Sequence, residues 1–235
     1  FGQHFFKEGS KVIPGNIGYS QLYFCVQLNS NFQGIPIEEY TDQLVGTTIT
    51  GKNSGVKAVV DKVLKAADSE KGNTTLYINY LNSSTTNNST QTFSDGEELS
   101  CDTTITSGLL GNNSITPGDS FAVTFATAAA QTGSSFQIQD GIYFIRGNFI
   151  NVATETLILD QYGTTPSYRV GLFVNEQIIN ADLDESLNDN SQGYNNFSAP
   201  GADRLKITVN LFKKSLTDFD DNNFVELATI ESGSL

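Results

Sequence analysis

The sequence predicts an all-β protein of two antiparallel β modules, of the sandwich or small-barrel type, with long polar loops and little helix. Three observations predict this class. Thr, Ser, Asn and Gly dominate the polar residues while charged residues make up only 17%, a composition typical of strands and turns. The apolar content of 38% and the aromatic content of 11% suffice for a packed core. Several runs alternate apolar with polar residues, which is the pattern of half-buried strands.

The first half of the chain carries four strand candidates, at residues 19–28, 44–50, 75–81 and 121–127. Each is a short apolar run bounded by turn residues. The glycine-bounded segment 51–55 lacks the spacing of a phosphate-binding loop and is interpreted as a turn between strands.

Residues 56–67 fit two interpretations. Their apolar side chains recur at helical spacing, with oppositely charged residues four positions apart on the other face. Four of these apolar residues are valines, whose β-branched side chains favour a pleated surface. Strands joined by a polar turn are the preferred interpretation. The following Ser/Thr/Asn tract, 82–92, has no apolar residue and is predicted to be a surface loop or a hairpin tip.

The second half has the cleaner period-two patterns. Residues 168–174 and 205–211 each alternate apolar with other residues, and 224–230 forms a third run. Patterns of this length predict antiparallel strands with one buried face. Strand candidates are densest in the stretch 141–211, which also holds a long polar loop from about residue 187 to residue 204.

Composition shifts predict the domain organisation. An N-terminal arm, 1–19, contains a Pro-Gly-Asn turn signal and leads into a β module at 20–130. A linker of small residues, 131–135, separates it from a second β module at 136–235. The chain contains no Met and begins with Phe1, so it is expected to be processed or to be a segment of a longer polypeptide.

The net charge restricts the possible partners, and the two cysteines restrict the possible disulfides. The net charge of −13 argues against nucleic acid, because a phosphate backbone requires clustered cations. No apolar run approaches the roughly 20 residues that cross a bilayer. Cys25 lies in an apolar run and is expected to be a buried free thiol, while a single disulfide with Cys101 remains an alternative.

No catalytic constellation is recognisable, so neither an enzyme nor a cofactor is predicted. His4 is the only histidine, and nothing around it indicates a nucleophile. One His and two distant Cys cannot supply a zinc site. Among 26 acidic residues no spacing singles out the carboxylate pair of a glycosidase.

Calcium is the best metal candidate, although a weak one. The acidic residues Asp182, Asp184 and Asp189 could supply oxygen ligands, and a second acidic cluster lies at 218–221. Neither cluster has the glycine that an EF-hand loop requires. A solvated acidic loop is therefore the preferred interpretation.

Two portions of the chain resemble virion proteins of tailed bacteriophages. The segments Ser186–Asn190, Gly193–Phe197 and Ala199–Leu205 resemble the DUF4815 family, structural proteins of contractile-tailed phages that include those of marine cyanobacteria. The opening, from Phe5-Phe6 to Pro14-Gly15, is similar to the start of that family's region. Residues 44–99 resemble a small β module that recurs in phage structural proteins.

The resemblance implies a structural component of the baseplate or tail-fibre apparatus, part of a longer chain that joins the baseplate to fibres. It implies no catalytic residues. The expected partners are other tail or baseplate proteins, and the chain itself as a homo-oligomer, with a trimer favoured. The expected location is the virion, after synthesis in the host cytoplasm. The alternatives are a receptor-binding module for cell-surface glycan and, least favoured, a polysaccharide depolymerase.

The loop that carries the family motif supplies the predicted interaction residues. Exposed aromatic side chains bury much area at low entropic cost, which makes them good contact residues. In the alternative interpretation Tyr194 and Phe197 cap the core of their own module. The predicted interaction set is Asn188, Asp189, Tyr194, Asn195, Phe197 and Arg204.

Overall fold

A computed structural model describes residues 5–13, 15–82, 89, 91–110, 114–191, 193–194 and 196–235. Strands account for 52% of the residues and helices for 7%, and no described helix reaches seven residues. The predicted all-β class is therefore confirmed. No helix in the described residues is long and apolar enough to cross a membrane.

The strands follow one another along the chain as β1 Lys11–Ile13, β2 Ile17–Gln27, β3 Asn31–Phe32, β4 Ile35–Pro36, β5 Thr48–Gly51, β6 Lys57–Leu64, β7 Thr75–Asn82, β8 Glu98–Cys101, β9 Ile105–Thr106, β10 Ser114–Ile115, β11 Ser120–Val123, β12 Ala130–Ile138, β13 Gly141–Ile145, β14 Asn148–Val152, β15 Glu155–Ile158, β16 Tyr168–Ile179, β17 Asn188–Asp189, β18 Asn196–Pro200, β19 Arg204–Ser215 and β20 Phe224–Ile230. Short 3-10 helices cover Ile37–Glu39, Thr41–Leu44, Ala66–Asp68, Gly108–Leu110 and Glu185–Leu187.

The chain folds into two compact units. We call the first the sheet unit; it comprises Ser20–Ser135 and Ile158–Thr165. The second, the ribbon unit, comprises the described part of Phe1–Tyr19 together with Phe136–Leu157 and Pro166–Leu235. Each unit is thus assembled from segments that are distant in sequence. Local changes of composition do not predict this arrangement.

The residues expected to form a linker, 131–135, lie inside the strand β12. The backbone of Ser134 exchanges hydrogen bonds of 2.9 Å with Leu159 and Asp160. A Cβ atom at Gly133 would lie 2.5 Å from the carbonyl oxygen of Gln161. The small side chains therefore reflect close approach to a neighbouring segment, and not a flexible connection.

An open eight-stranded sheet, in the order β11-β8-β5-β6-β7-β2-β12-β15, provides the framework of the sheet unit. The ambiguous residues 56–67 form β6, which pairs antiparallel with both β5 and β7. Ala58 and Val60 of β6 are fully buried in the core. The β-branched composition therefore prevailed over the helical spacing, as preferred.

The strand β2 buries its second half and leaves its first half exposed. Leu22 is 63% exposed, whereas Cys25 and Val26 are completely buried. The Tyr23 ring stacks on Tyr77 with centroids 4.6 Å apart. Cys25 is a free buried thiol, as expected, and Cys101 is also free, so the alternative of a disulfide is not realised.

A buried carboxylate holds one corner of the sheet unit. Glu97 is fully buried, and one oxygen accepts hydrogen bonds from the backbone N–H groups of Asn53 and Ser54 at 3.0 and 2.9 Å. The other oxygen accepts from the Ser54 hydroxyl at 2.9 Å and from the Ser94 N–H at 2.6 Å. A Cβ atom at Gly51 would lie 2.6 Å from this carboxylate. Segment 51–55 is therefore a turn organised by Glu97.

The ribbon unit contains the sheets β1-β13-β14 and β19-β16-β20 and the strand pair β17-β18. Residues 1–19, expected to be an arm, contribute β1, in which Lys11 pairs with Tyr143 of β13. The predicted strands 168–174, 205–211 and 224–230 correspond to β16, β19 and β20. Most of the Ser/Thr/Asn tract 82–92 lies outside the described residues, as does His4.

Candidate functional site

The two long antiparallel strands β16 and β19 extend beyond the end of the third strand of their sheet, β20. β16 pairs with β19 along its whole length, from Tyr168 to Ile179. β20 pairs with β16 only from Tyr168 to Phe173. Residues 174–179 and 204–209 therefore have only each other as strand partners, and we call this two-stranded part the ribbon. At its base the Val174 N–H also donates to the carbonyl of Asn223 at 2.8 Å.

One face of the ribbon continues the apolar core of the ribbon unit. On this face Leu172 and Val174 are fully buried. Further along, Ile178 lies opposite Leu205, and these side chains are 69% and 57% exposed. The same alternating pattern thus begins as core and ends as exposed apolar surface.

Arg146 pairs with Glu176, the acidic residue on this face of the ribbon. Its guanidinium donates to Glu176 at 2.9 Å and to the side-chain oxygen of Asn223 at 2.8 Å. Arg146 adopts φ +48° and Gly147 φ +81°, which closes the β13–β14 hairpin in a two-residue turn. A side chain held in the left-handed region is strained, and here that geometry directs Arg146 to the base of the ribbon.

Arg169 anchors the base of the ribbon on the opposite face. It donates to Asp221 at 2.6 and 3.1 Å and to Glu226 at 2.7 Å. Its guanidinium carbon lies 5.3 and 5.5 Å from the ring centroids of Phe219 and Phe224. These hydrogen bonds raise the pKa of Arg169 and hold the pKa of the Asp221 carboxyl below its ordinary value. The segment between β19 and β20 is thereby bound to β16.

The predicted interaction residues Asn188 and Asp189 serve the loop that joins β16 to β19. Asn188 is nearly buried, and its amide donates to the carbonyl of Glu185 at 3.1 Å. Asp189 accepts from the backbone N–H and the hydroxyl of Ser191, each at 3.0 Å. Both side chains therefore shape the loop itself.

Among the members of the predicted set whose side chains the structure describes, Tyr194 and Arg204 are exposed to solvent. Tyr194 is 65% exposed, and Arg204 is exposed at the start of β19, with its guanidinium 3.3 Å from the carbonyl of Asp203. The Tyr194 side chain is therefore not buried in the core of its own module, and its contact role stays a prediction. Asn195 and the side chain of Phe197 lie outside the described residues, although Phe197 belongs to β18.

The loop also contains a glycine that no other residue can replace without movement. A Cβ atom at Gly201 would lie 1.7 Å from the carbonyl oxygen of Leu187. Real Cβ contacts are never this short, so the two segments of the loop meet only because this position has no side chain. Gly201 therefore allows the loop to close, next to the pairing of β17 with β18.

The weak calcium candidates do not converge. Asp184 accepts from the N–H and the hydroxyl of Ser186 at 3.0 and 2.6 Å, which lowers its pKa. Asp182 faces the amide of Asn180 at 3.5 Å, and Asp189 binds within its own turn. Within the described ranges no group of three or more His, Cys, Asp or Glu side chains could hold a metal ion. In the second acidic cluster, Asp221 is paired with Arg169.

Sequence reasoning missed Ile178 and placed Leu205 wrongly. The period-two pattern of 205–211 predicted one buried face, yet only Leu211 is buried at 3% exposure. The signal that was present is the continuation of the alternation from Val174 through Glu176 to Ile178. Whether a residue of this alternation is buried depends on what packs against the face, which cannot be read from β16 or β19 alone.

The sheet unit carries a separate surface pocket of about 390 Å³. The rings of Phe24 and Tyr80 meet edge to face there with centroids 5.4 Å apart. Apolar side chains with a few amide groups are typical of small-molecule sites. The pocket is lined by Phe24, Tyr80, Leu81, Asn82, Gln91 and Thr92.

Comparison with known proteins identifies one family. No curated protein and no solved structure matches the chain. A family described as Domain of unknown function (DUF4815) matches residues 91–235, which include the ribbon and its loop. The opening of the chain and most of the segment 44–99 lie outside this match, so their resemblance remains an expectation. The matched region exceeds half of the chain, and the chain therefore belongs to the DUF4815 family.

Proposed function

We propose that this chain is a non-enzymatic structural component of a phage tail or baseplate. In this role it links virion proteins, as part of a longer chain that joins the baseplate to fibres. The observation that carries the proposal is the exposed apolar end of the ribbon, formed by Ile178 and Leu205. Exposed apolar surface beside polar surface is typical of protein interaction sites. The phage setting rests on the resemblance of residues 186–205 and 44–99 to virion proteins.

The ribbon suits a linking role because its contact residues stand on a rigid base. Ion pairs of Arg169 and Arg146 hold that base at 2.6 and 2.9 Å. Burying an aliphatic side chain completely stabilises by roughly 1.5–3 kcal/mol. Covering the exposed parts of Ile178 and Leu205 would therefore contribute about 2–4 kcal/mol to an interface, by the same coefficient.

The partners that follow from this role are other tail or baseplate proteins and further copies of the chain, and not nucleic acid or membrane. A net charge of −13 disfavours approach to phosphate groups. The chain would be made in the host cytoplasm and act in the assembled virion.

A double variant tests the linking role. Phage encoding Ile178→Ser with Leu205→Ser should assemble tails that lack the chain or its neighbour, whereas the purified variant should keep the melting temperature of the wild type. Leu22→Ser, which alters a residue 63% exposed in the sheet unit, serves as the matched control. Mass spectrometry of purified tails measures incorporation, and cryo-EM of the intact tail shows which chains contact the ribbon.

The outcomes are distinct. Loss of incorporation in the double variant alone supports the proposal. Normal incorporation of the double variant contradicts a role for the ribbon, and absence of the wild-type chain from purified tails contradicts the virion assignment.

The pocket between Phe24 and Tyr80 favours a second candidate, a receptor-binding module for host cell-surface glycan. The exposed ring of Phe24 could supply a face on which a sugar stacks. The side-chain amides of Asn82 and Gln91 could supply the hydrogen bonds that orient the sugar. Glycan-array binding that is present in the wild type and lost in Phe24→Ala would support this candidate. An array with no signal for the wild type would count against it.

A further inference from the structure

β19 is a long edge strand whose outward backbone N–H groups differ in whether they are hydrogen-bonded. It lies at one side of the sheet β19-β16-β20 and runs for 12 residues. Such a strand presents a row of backbone N–H and C=O groups that can pair with another strand. Proteins commonly block these rows, and on β19 a side chain binds the outward N–H of Leu211.

Glu155 supplies this side chain. The backbone N–H of Leu211 donates to the Glu155 carboxylate at 2.7 Å, so it points away from β16. Backbone groups alternate in direction along a strand, and the β16–β19 register has no irregularity. The N–H groups of Leu205, Ile207 and Val209 therefore also point outwards, and in the described part of the chain no backbone acceptor meets them.

We infer that this outer row, from Leu205 to Val209, pairs antiparallel with the same row of a second copy of the chain. The pairing deepens the linking role proposed above and rests on it. A twofold axis at Ile207 places Ile207 opposite Ile207 of the second copy and Leu205 opposite Val209. All residues with outward backbone groups then face one another, which is the condition for a hydrogen-bonded ladder.

The side chains of the segment are complementary to themselves in this register. The three facing pairs on one side are all aliphatic, and cross-strand aliphatic pairs stabilise antiparallel sheets. On the other side Lys206 lies opposite Thr208, and Arg204 lies opposite Asn210. No cation therefore faces another cation directly, although the segment carries two cations and no acidic residue.

Pairing would also change the surface offered to other virion proteins. A two-stranded ribbon is marginal by itself, whereas a sheet of more strands with an apolar face is stable. The pair forms a four-stranded sheet, β16-β19-β19-β16, with Ile178 and Leu205 of both copies on one face. The second copy thus enlarges the docking surface that the ribbon provides.

Light scattering after size-exclusion chromatography tests the pairing on the purified chain. The monomer has a mass of 25.4 kDa, so the expected species is 2 × 25.4 = 50.8 kDa. Ile207→Lys and Ile207→Glu each place two like charges in contact at the axis, and each should run at the mass of the monomer. An equimolar mixture of the two variants should return to the mass of the pair. In a mixed pair the lysine at position 207 of one copy faces the glutamate at position 207 of the other, so the charges attract.

Asn175→Lys, on the polar face of β16 away from the edge, is the matched control and should remain paired. Melting temperature and near-ultraviolet circular dichroism verify that each variant is folded. Three results would overturn the inference: a monomeric wild type at its highest soluble concentration, a trimer of 3 × 25.4 = 76.2 kDa, or a mixture that stays monomeric. None of these measurements uses virions, so failure of the pairing is distinguishable from failure of the tail assignment.

Discussion

Ile178 and Leu205 lie directly opposite each other on β16 and β19, and both side chains remain more than half exposed. They extend the face on which Leu172 and Leu211 also oppose each other, and that inner pair is buried. The two pairs have the same chemistry and the same strand geometry. They differ only in what covers them, which makes the outer pair available to a partner.

The difference between the two pairs predicts different costs for truncation. Leu172→Ala should lower the free energy of unfolding by about 2–5 kcal/mol, because it leaves a cavity in the core. Ile178→Ala, six residues along the same face, should change it by less than about 0.5 kcal/mol. Denaturant unfolding of both purified variants measures this. Equal losses for the two would mean that Ile178 is covered in the isolated chain.

Gly201→Ala should loosen the loop that carries the family motif. The new Cβ would lie 1.7 Å from the Leu187 carbonyl oxygen, so one segment has to move. Amide hydrogen exchange at Asn188 and Asp189 should then accelerate. Gly193→Ala is the control, because a Cβ atom at this position would have no neighbour within 4 Å. Only the φ of +83° is unfavourable for alanine there, at a cost of about 1 kcal/mol. Unchanged exchange in Gly201→Ala would contradict the close contact.

Glu97→Gln should destabilise the sheet unit by about 1–3 kcal/mol, because an amide N–H₂ would face N–H donors in a buried site. The donors are the backbone groups of Ser54 and Ser94 at 2.9 and 2.6 Å. The neighbouring Glu98 is exposed and accepts from the Ser120 hydroxyl. Glu98→Gln should therefore have little effect in thermal unfolding. Similar losses in the two variants would show that burial of Glu97 is not the cause.

Stability should fall in acid partly through Asp221. Its pKa is depressed by hydrogen bonds from Arg169, so the folded state binds this proton less readily than the unfolded state. The contribution is complete above the unfolded pKa of about 3.9 and is lost as pH falls through the lower folded value. Melting temperatures of the wild type and Asp221→Asn should therefore differ at neutral pH and converge as the pH falls below the unfolded pKa.

Asp203→Asn, which alters an exposed aspartate of the same unit, is the control for that titration. It should follow the wild-type curve at every pH. A difference between wild type and Asp221→Asn that persists undiminished in strong acid would contradict the role of the Arg169–Asp221 pair.

Local pattern was sufficient for most of the fold and for the family. The valines of β6 identified a strand against a helical spacing, and the alternation of β16, β19 and β20 placed all three. It failed at β12, where small residues indicated a linker although they permit close packing around Gly133. At the site the interaction set stays a prediction: Tyr194 and Arg204 are exposed, whereas the Asn188 amide is used within the loop.

The amino-acid sequence by itself determined an all-β chain, the position of its main strands and the motif that closes the loop at Gly201. Only the tertiary structure decided which part of the apolar stripe is core and which is surface. A period-two pattern defines a face, but its burial requires another part of the fold to pack against that face, as it does at Leu172 and Val174 and not at Ile178. In the same way, only the tertiary structure places the Glu155 carboxylate on the outward N–H of Leu211 in β19. These two residues are 56 positions apart in sequence.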